Sequence, residues 1–192
     1  MLVKEEYSGR ERMLGGVEIL GEEEIYSGKK VTLRKLLLKI RGHDTFHEII
    51  RFGESVAILP FITGSEVILI RQFRGAIGGW IIEIPAGRVE KGESPTETCI
   101  RELIEEIGYR PKSLEKLASC YLTPGYSDEL IHLYVARDLE YVGQRLEEHE
   151  AIRLVRINYE DLLRDVLSGK INDAKTMLTV LFYEMRKRGH NG

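Results

Sequence analysis

The stretch from Trp80 to Tyr109 constrains this chain more than any other part of it. Trp80-Ile81-Ile82-Glu83-Ile84 reads as a short strand stopped by Pro85, and Pro85-Ala86-Gly87 opens a loop that also holds Gly92. A helix then begins on a full set of local signals. Ser94 can accept from first-turn amides, Pro95 suits the first helical position, and Glu97 completes a capping box. Gly108 supplies the stop and Pro111 follows it. On a wheel over residues 95–107, Ile100, Leu103, Ile104 and Ile107 form an apolar stripe, with Glu102, Glu105 and Glu106 opposite.

Strand patterns flank this unit. Residues 31–38, 45–50, 55–62 and 66–73 alternate or run apolar, and Thr63-Gly64-Ser65 is a hairpin signal between the last two. Strands are expected again at 114–121, 129–136 and 152–157. Asn158 caps a helix that Gly169 ends, and a last helix from about Asp173 to Lys187 places Ala174, Met177, Leu178, Leu181 and Met185 on one face. Strands, helix, strands, helices without regular alternation indicate an α+β domain, an α/β/α sandwich around a mixed sheet.

With 192 residues and 43% apolar content, the chain suits one domain plus a short accessory segment. A net charge of -3 with scattered basic residues gives no footprint for nucleic acid, and Arg186-Lys187-Arg188 reads as a helix end complementing its dipole. No run approaches a membrane span, and the charged Met1–Glu6 start lacks the apolar core of a secretory signal. Cys99 and Cys120 have neither metal nor disulfide spacing, which fits reduced thiols in the cytoplasm.

An acidic helix face is most often just solvated. Here, though, the residue four after Glu102 is Glu106, not a lysine or arginine, and like charges at that spacing cost a few tenths of a kcal/mol. A cation between them reverses the sign, and hard oxygen ligands on one rigid face suit Mg²⁺, with Mn²⁺ as a substitute. A glycine loop can aim main-chain groups at the same point, although alone it is usually only a turn.

Gly87, five residues, Glu93, seven residues, Arg101-Glu102-Leu103, one residue, Glu105-Glu106, one residue, Gly108 resembles the complete Nudix box. Tyr109 departs from the aliphatic residue favoured next, as is common in the ADP-ribose pyrophosphatase branch. The wider similarity to that branch runs from about Val31 to Met185. Its carriers are Ile84-Pro85-Ala86-Gly87, Arg71-Gln72-Phe73-Arg74, and Pro124 with Gly125-Tyr126-Ser127-Asp128-Glu129. GDP-mannose hydrolases share several of these motifs.

The resemblance implies a Nudix fold with a β extension over residues 1–53, the dimerisation region, and a hydrolase domain over 54–192. It implies Glu102, Glu106 and the Ala86 carbonyl as metal ligands, with Glu105 auxiliary and Glu150 additional. Arg101 and Glu93 orient the acids, Gly87 and Gly108 shape the box, and Glu148 is the favoured base on the loop Glu147-Glu148-His149-Glu150. Substrate contacts fall to Arg74, Arg71, Glu83, Gly125, Ser127 and Glu129. Arg71 has a second reading as a surface residue, and Trp80 reads as a stacking partner or as a core or interface residue. The implied reaction is hydrolysis of ADP-ribose to AMP and ribose 5-phosphate by a cytoplasmic homodimer. GDP-mannose, another nucleoside diphosphate sugar or a dinucleotide is the alternative substrate, and a non-catalytic nucleotide sensor is a third reading.

Overall fold

The computed structural model describes residues 13–14, 16–146 and 151–189. The described residues of 1–52 with 123–129 make one compact unit, and those of 53–122 with 130–192 another.

The first unit is an antiparallel meander of β1 (Met13–Leu14), β2 (Val17–Ser27), β3 (Thr32–Ile40) and β4 (His43–Arg51). Strand β2 is 11 residues long. Its run Glu22-Glu23-Glu24 has poor strand propensity, but Glu23 lies opposite Lys35 and Glu24 opposite Arg34, and opposite charges across a ladder are favourable. Arg51 grips Glu22 with Nε at 2.9 Å and Nη2 at 3.0 Å. The 123–129 loop is fastened to β4: Ile50 donates to the Tyr126 carbonyl at 2.7 Å, and Phe52 donates to Asp128 Oδ1 at 2.7 Å.

The second unit holds two sheets. One has the order β8 (Ala86–Arg88), β5 (Glu54–Pro60), β10 (Leu130–Tyr141), β9 (Tyr109–Tyr121), and is mixed because β5 and β10 run parallel. The other is β11 (Ile152–Asn158), β6 (Glu66–Arg74), β7 (Gly79–Glu83), all antiparallel. The expected hairpin of β5 with β6 is therefore a correction. The Thr63-Gly64-Ser65 turn forms, but pairing stops at the single bridge Phe61–Val67 and the strands enter different sheets. Strand β5 is buried on both faces, so it runs beside β10 in the interior instead of forming a two-stranded ribbon. Strand β9 begins at Tyr109, earlier than expected, and takes Pro111 at a sheet edge, where a missing N–H is tolerated.

Alternate residues of β5 face opposite cores. Ala57, Leu59 and Phe61 pack with Leu162 and Val166 of α2 (Tyr159–Leu167) and Val180 of α3 (Ala174–Gly189). Val56 and Ile58 pack with Cys99, Leu103 and Ile107 of the box helix. Helices thus cover the strands on both sides, giving the α/β/α layering. On α3 the buried residues are Thr176, Thr179 and Val180, whereas Leu181 and Met185 are exposed. Apolar periodicity misplaced this face because the threonine hydroxyls bury with partners, Asp173 Oδ2 at 2.6 Å and the Lys175 carbonyl at 2.7 Å.

Leu69 is fully buried in the larger core. Leu69→Ala is expected to lower unfolding free energy by about 2–5 kcal/mol in urea titrations; a loss under about 1 kcal/mol would contradict this packing.

Candidate active site

The box helix is built by its caps. Ser94 Oγ accepts from the Glu97 amide at 3.3 Å, and Glu97 Oε2 accepts from the Ser94 amide at 2.8 Å. Helix α1 (Pro95–Glu102) then widens into a π-type turn over Leu103–Ile107, whose last amide, on left-handed Gly108, is shared between the carbonyls of Ile104 and Leu103. Such turns recur at functional sites because they re-aim side chains within a helix. The buried stripe is Cys99, Leu103 and Ile107, with Ile100 and Ile104 only half-buried.

Glu102 and Glu106 are not solvated: they are 8% and 2% exposed. Both turn toward the Ala86-Gly87 segment of β8. Glu106 Oε2 accepts from the Ala86 amide at 3.0 Å. The Glu102 carboxylate lies so close over Gly87 that a Cβ there would fall inside it. Gly87 is thus required for close approach, not for an unusual backbone angle.

Arg101 braces this arrangement. Its Nε donates to Glu93 Oε1 at 2.9 Å, Nη2 to the Arg88 carbonyl at 3.0 Å, and Nη1 to Glu102 Oε1 at 2.7 Å and Glu105 Oε2 at 3.0 Å. Burial pushes the guanidinium pKa down, but the surrounding carboxylates more than offset this and it stands above its ordinary value. The Arg101 hydrogen bond, helped by Thr98, holds Glu93 down at about 2. The folded pKa lies below the ordinary 4.5, so this brace stabilises the fold above about pH 4.5 and loses that effect as pH falls toward 2. Two buried carboxylates with hard oxygens over a glycine suit a small divalent cation.

A second charged group adjoins the first. Glu83, at the end of β7, is fully buried; Arg74 Nε donates to its Oε1 at 2.8 Å and Lys175 Nζ to its Oε2. Lys175 also reaches Asp173 Oδ1 at 2.8 Å, and Thr176 Oγ1 accepts from the Ile84 amide at 2.9 Å. Burial pushes the Arg74 pKa down, but Glu83 foremost, then Glu106 and Asp173, raise it above the ordinary value. Arg74 Nη1 and Nη2 donate to none of the described residues. Sequence reasoning named Arg74 and Glu83 but missed Lys175, Asp173 and Thr176. One signal was available: a lysine in the first turn of a helix opposes the macrodipole and needs a specific anionic partner.

The remaining candidates separate. Arg71 is exposed, with its guanidinium 5.7 Å from the Trp80 ring, and Trp80 packs edge-on against Phe73 at 5.8 Å. Gly125, Ser127 and Glu129 belong to the first unit, where Ser127 Oγ accepts from the Glu129 amide at 3.2 Å. Glu148 and Glu150 lie outside the described residues. The segment before them is tied to the box helix: Val142 donates to the Gly108 carbonyl at 2.8 Å, Gln144 Nε2 to the Glu106 carbonyl at 2.5 Å and the Arg145 amide to the Glu105 carbonyl at 3.1 Å.

A capped acidic helix thus lies over a glycine strand, with the ion-paired group of Arg74, Lys175, Glu83 and Asp173 alongside. Residues 51–178 match the NUDIX domain. The ADP-ribose pyrophosphatase of Bacillus subtilis (strain 168) is 34% identical over 171 residues, covering 88% of this chain and 92% of that protein. The GDP-mannose pyrophosphatase of Cronobacter sakazakii (strain ATCC BAA-894) is 36% identical over 189 residues, covering 88% and 96%. A crystal structure of an ADP compounds hydrolase superposes with a TM-score of 0.81 at 25% identity, covering 93% of this chain and 97% of that one. The chain belongs to the Nudix family.

Gly87→Ala is expected to displace the Glu102 carboxylate and cut turnover by at least about tenfold, since positioning errors near 1 Å cost up to about a hundredfold. Circular dichroism is expected to stay native. Wild-type turnover in this variant would show that the close approach is not needed.

Proposed function

We propose that this chain hydrolyses the pyrophosphate bond of ADP-ribose to AMP and ribose 5-phosphate, in a divalent-metal-dependent reaction using Mg²⁺ or Mn²⁺. The observation that carries the reading is the pairing of buried Glu102 and Glu106 with the Ala86-Gly87 strand, beside an arginine whose Nη edge has no described partner. The relative of Bacillus subtilis, an ADP-ribose pyrophosphatase, supports the choice of substrate. The 36%-identical GDP-mannose pyrophosphatase supports GDP-mannose as the second reading.

In this reading Glu102, Glu106, the Ala86 carbonyl and Glu150 hold the cation, with Glu105 auxiliary. The cation supplies charge neutralisation of the pyrophosphate oxygens and a lowered water pKa. Arg74 presents two N–H donors to a phosphate, a geometry suited to bidentate contact. Arg101 and Glu93 keep the acids in register. Glu148 takes the proton of the attacking water as its oxygen bonds to phosphorus and the bridging P–O bond breaks, leaving AMP and ribose 5-phosphate. Gly125, Ser127 and Glu129 contribute further substrate contacts. The fully buried Glu83 acts through Arg74, and Arg71, stacked on Trp80, belongs to the periphery.

The protein is proposed to act in the cytoplasm as a homodimer built through residues 1–53. No helix among the described residues is long and apolar enough to cross a membrane.

Three outcomes check this. Glu102→Gln and Glu106→Gln are each expected to lose nearly all metal-dependent release of AMP from ADP-ribose while circular dichroism stays native. Near-normal turnover in either would overturn the ligand assignment, and strong hydrolysis of GDP-mannose with negligible hydrolysis of ADP-ribose would overturn the substrate. Glu148→Gln is expected to lower kcat by about 10²–10⁴ with metal affinity retained; a larger kcat defect in Glu150→Gln would exchange the two roles. Light scattering is expected to give twice the 22.0 kDa chain mass, and a fully active monomer would defeat the dimer.

A further inference from the structure

We infer that Lys175 is a positioning residue for the substrate-facing edge of Arg74: by covering one oxygen of Glu83, it keeps Arg74 from closing a two-pronged grip on that carboxylate. This rests on the reading of Arg74 as a phosphate ligand.

The division of Glu83 between its partners carries the inference. The carboxylate is fully buried, so both oxygens must be satisfied within the protein. Oε1 accepts only one donor from Arg74, its Nε at 2.8 Å, while Oε2 is taken by Lys175 Nζ. Left alone, a guanidinium and a carboxylate prefer two parallel hydrogen bonds. That fork would consume an Nη group of Arg74. With Lys175 on Oε2, the arginine is fixed through Nε alone, and its two Nη groups are bonded to none of the described residues.

Lys175 is itself an unusual choice. It lies in the first turn of α3, where the helix dipole disfavours a cation. Asp173 compensates by accepting from Nζ at 2.8 Å and from the Thr176 amide at 3.0 Å, so the lysine is oriented from two sides. The same turn holds the Ile84 amide through Thr176 Oγ1, two residues before Ala86. The start of α3 therefore fixes both the carboxylate that aims Arg74 and the strand that receives Glu106.

A double-mutant cycle on kcat/KM for ADP-ribose tests this. Lys175→Met is expected to lose about 10- to 100-fold, with the same split between KM and kcat as Arg74→Met. Added to Arg74→Met, it is expected to change kcat/KM by less than about threefold, because the group it acts through is gone. Losses that multiply in the double variant would overturn the inference and leave Arg74's role standing. A wild-type KM and kcat in Arg74→Met would instead overturn the reading of Arg74 itself. Lys175→Gln and Lys175→Arg both keep a donor for Oε2 and are expected within about fivefold of wild type, a smaller loss than breaking a charged hydrogen bond. If Lys175→Met does not fold, these two decide: the full Arg74→Met defect in both would overturn the proposal.

Discussion

Glu102 and Glu106 stand four positions apart on one helix with almost no access to water, and taking a charge out of water costs several kcal/mol unless it is compensated. The neighbouring structure supplies that compensation from three directions. The Ala86 amide donates to Glu106, Gly87 leaves room for Glu102, and Arg101 gathers Glu93, Glu102 and Glu105 onto one guanidinium. A divalent cation, bound through hard carboxylate oxygens, would complete the set. The helix holding them is closed at one end by Ser94 and Glu97 and at the other by left-handed Gly108. Both ends are fixed, so the carboxylates keep their aim.

Support for this site comes from a part of the chain remote in sequence. The first turn of α3 grips Glu83 and Ile84, just ahead of the strand that receives the acids. Glu83 in turn holds Arg74. The acidic helix and the arginine are thus referenced to one short stretch, residues 83–87, that leads from β7 into β8. Placing two groups against a common rigid element keeps both within the tolerances that catalysis on a bound substrate demands.

Local features were legible in the sequence and long-range ones were not. Ser94, Pro95, Glu97 and Gly108 marked the box helix because caps are set by neighbours in the chain. The spacing of Glu102 and Glu106 raised the cation hypothesis for the same reason. The π turn could not be read, since a wheel assumes even rotation; of the expected stripe Leu103 and Ile107 are buried, Ile100 and Ile104 are half-buried, and Cys99 joins it. The turn between β5 and β6 was visible, but not that β5 would pair with β10, as Glu54 does with Leu130. Thr176 and Thr179 escaped an apolar search because their burial depends on hydrogen bonds formed only in the folded chain. Lys175 stands 92 positions from Glu83, so no local pattern names its partner.

In the proposed reading Glu102 and Glu106 share a cation against the Ala86-Gly87 strand. Crystals soaked in Mn²⁺ and measured at a wavelength where manganese scatters anomalously test it most directly. The expected result is an anomalous peak bonded to both carboxylates and to the Ala86 carbonyl, with the Arg101 guanidinium drawn off Glu102 and held by Glu93 alone or with Glu105. A peak elsewhere, with Arg101 still donating to Glu102 and Glu105, would contradict it.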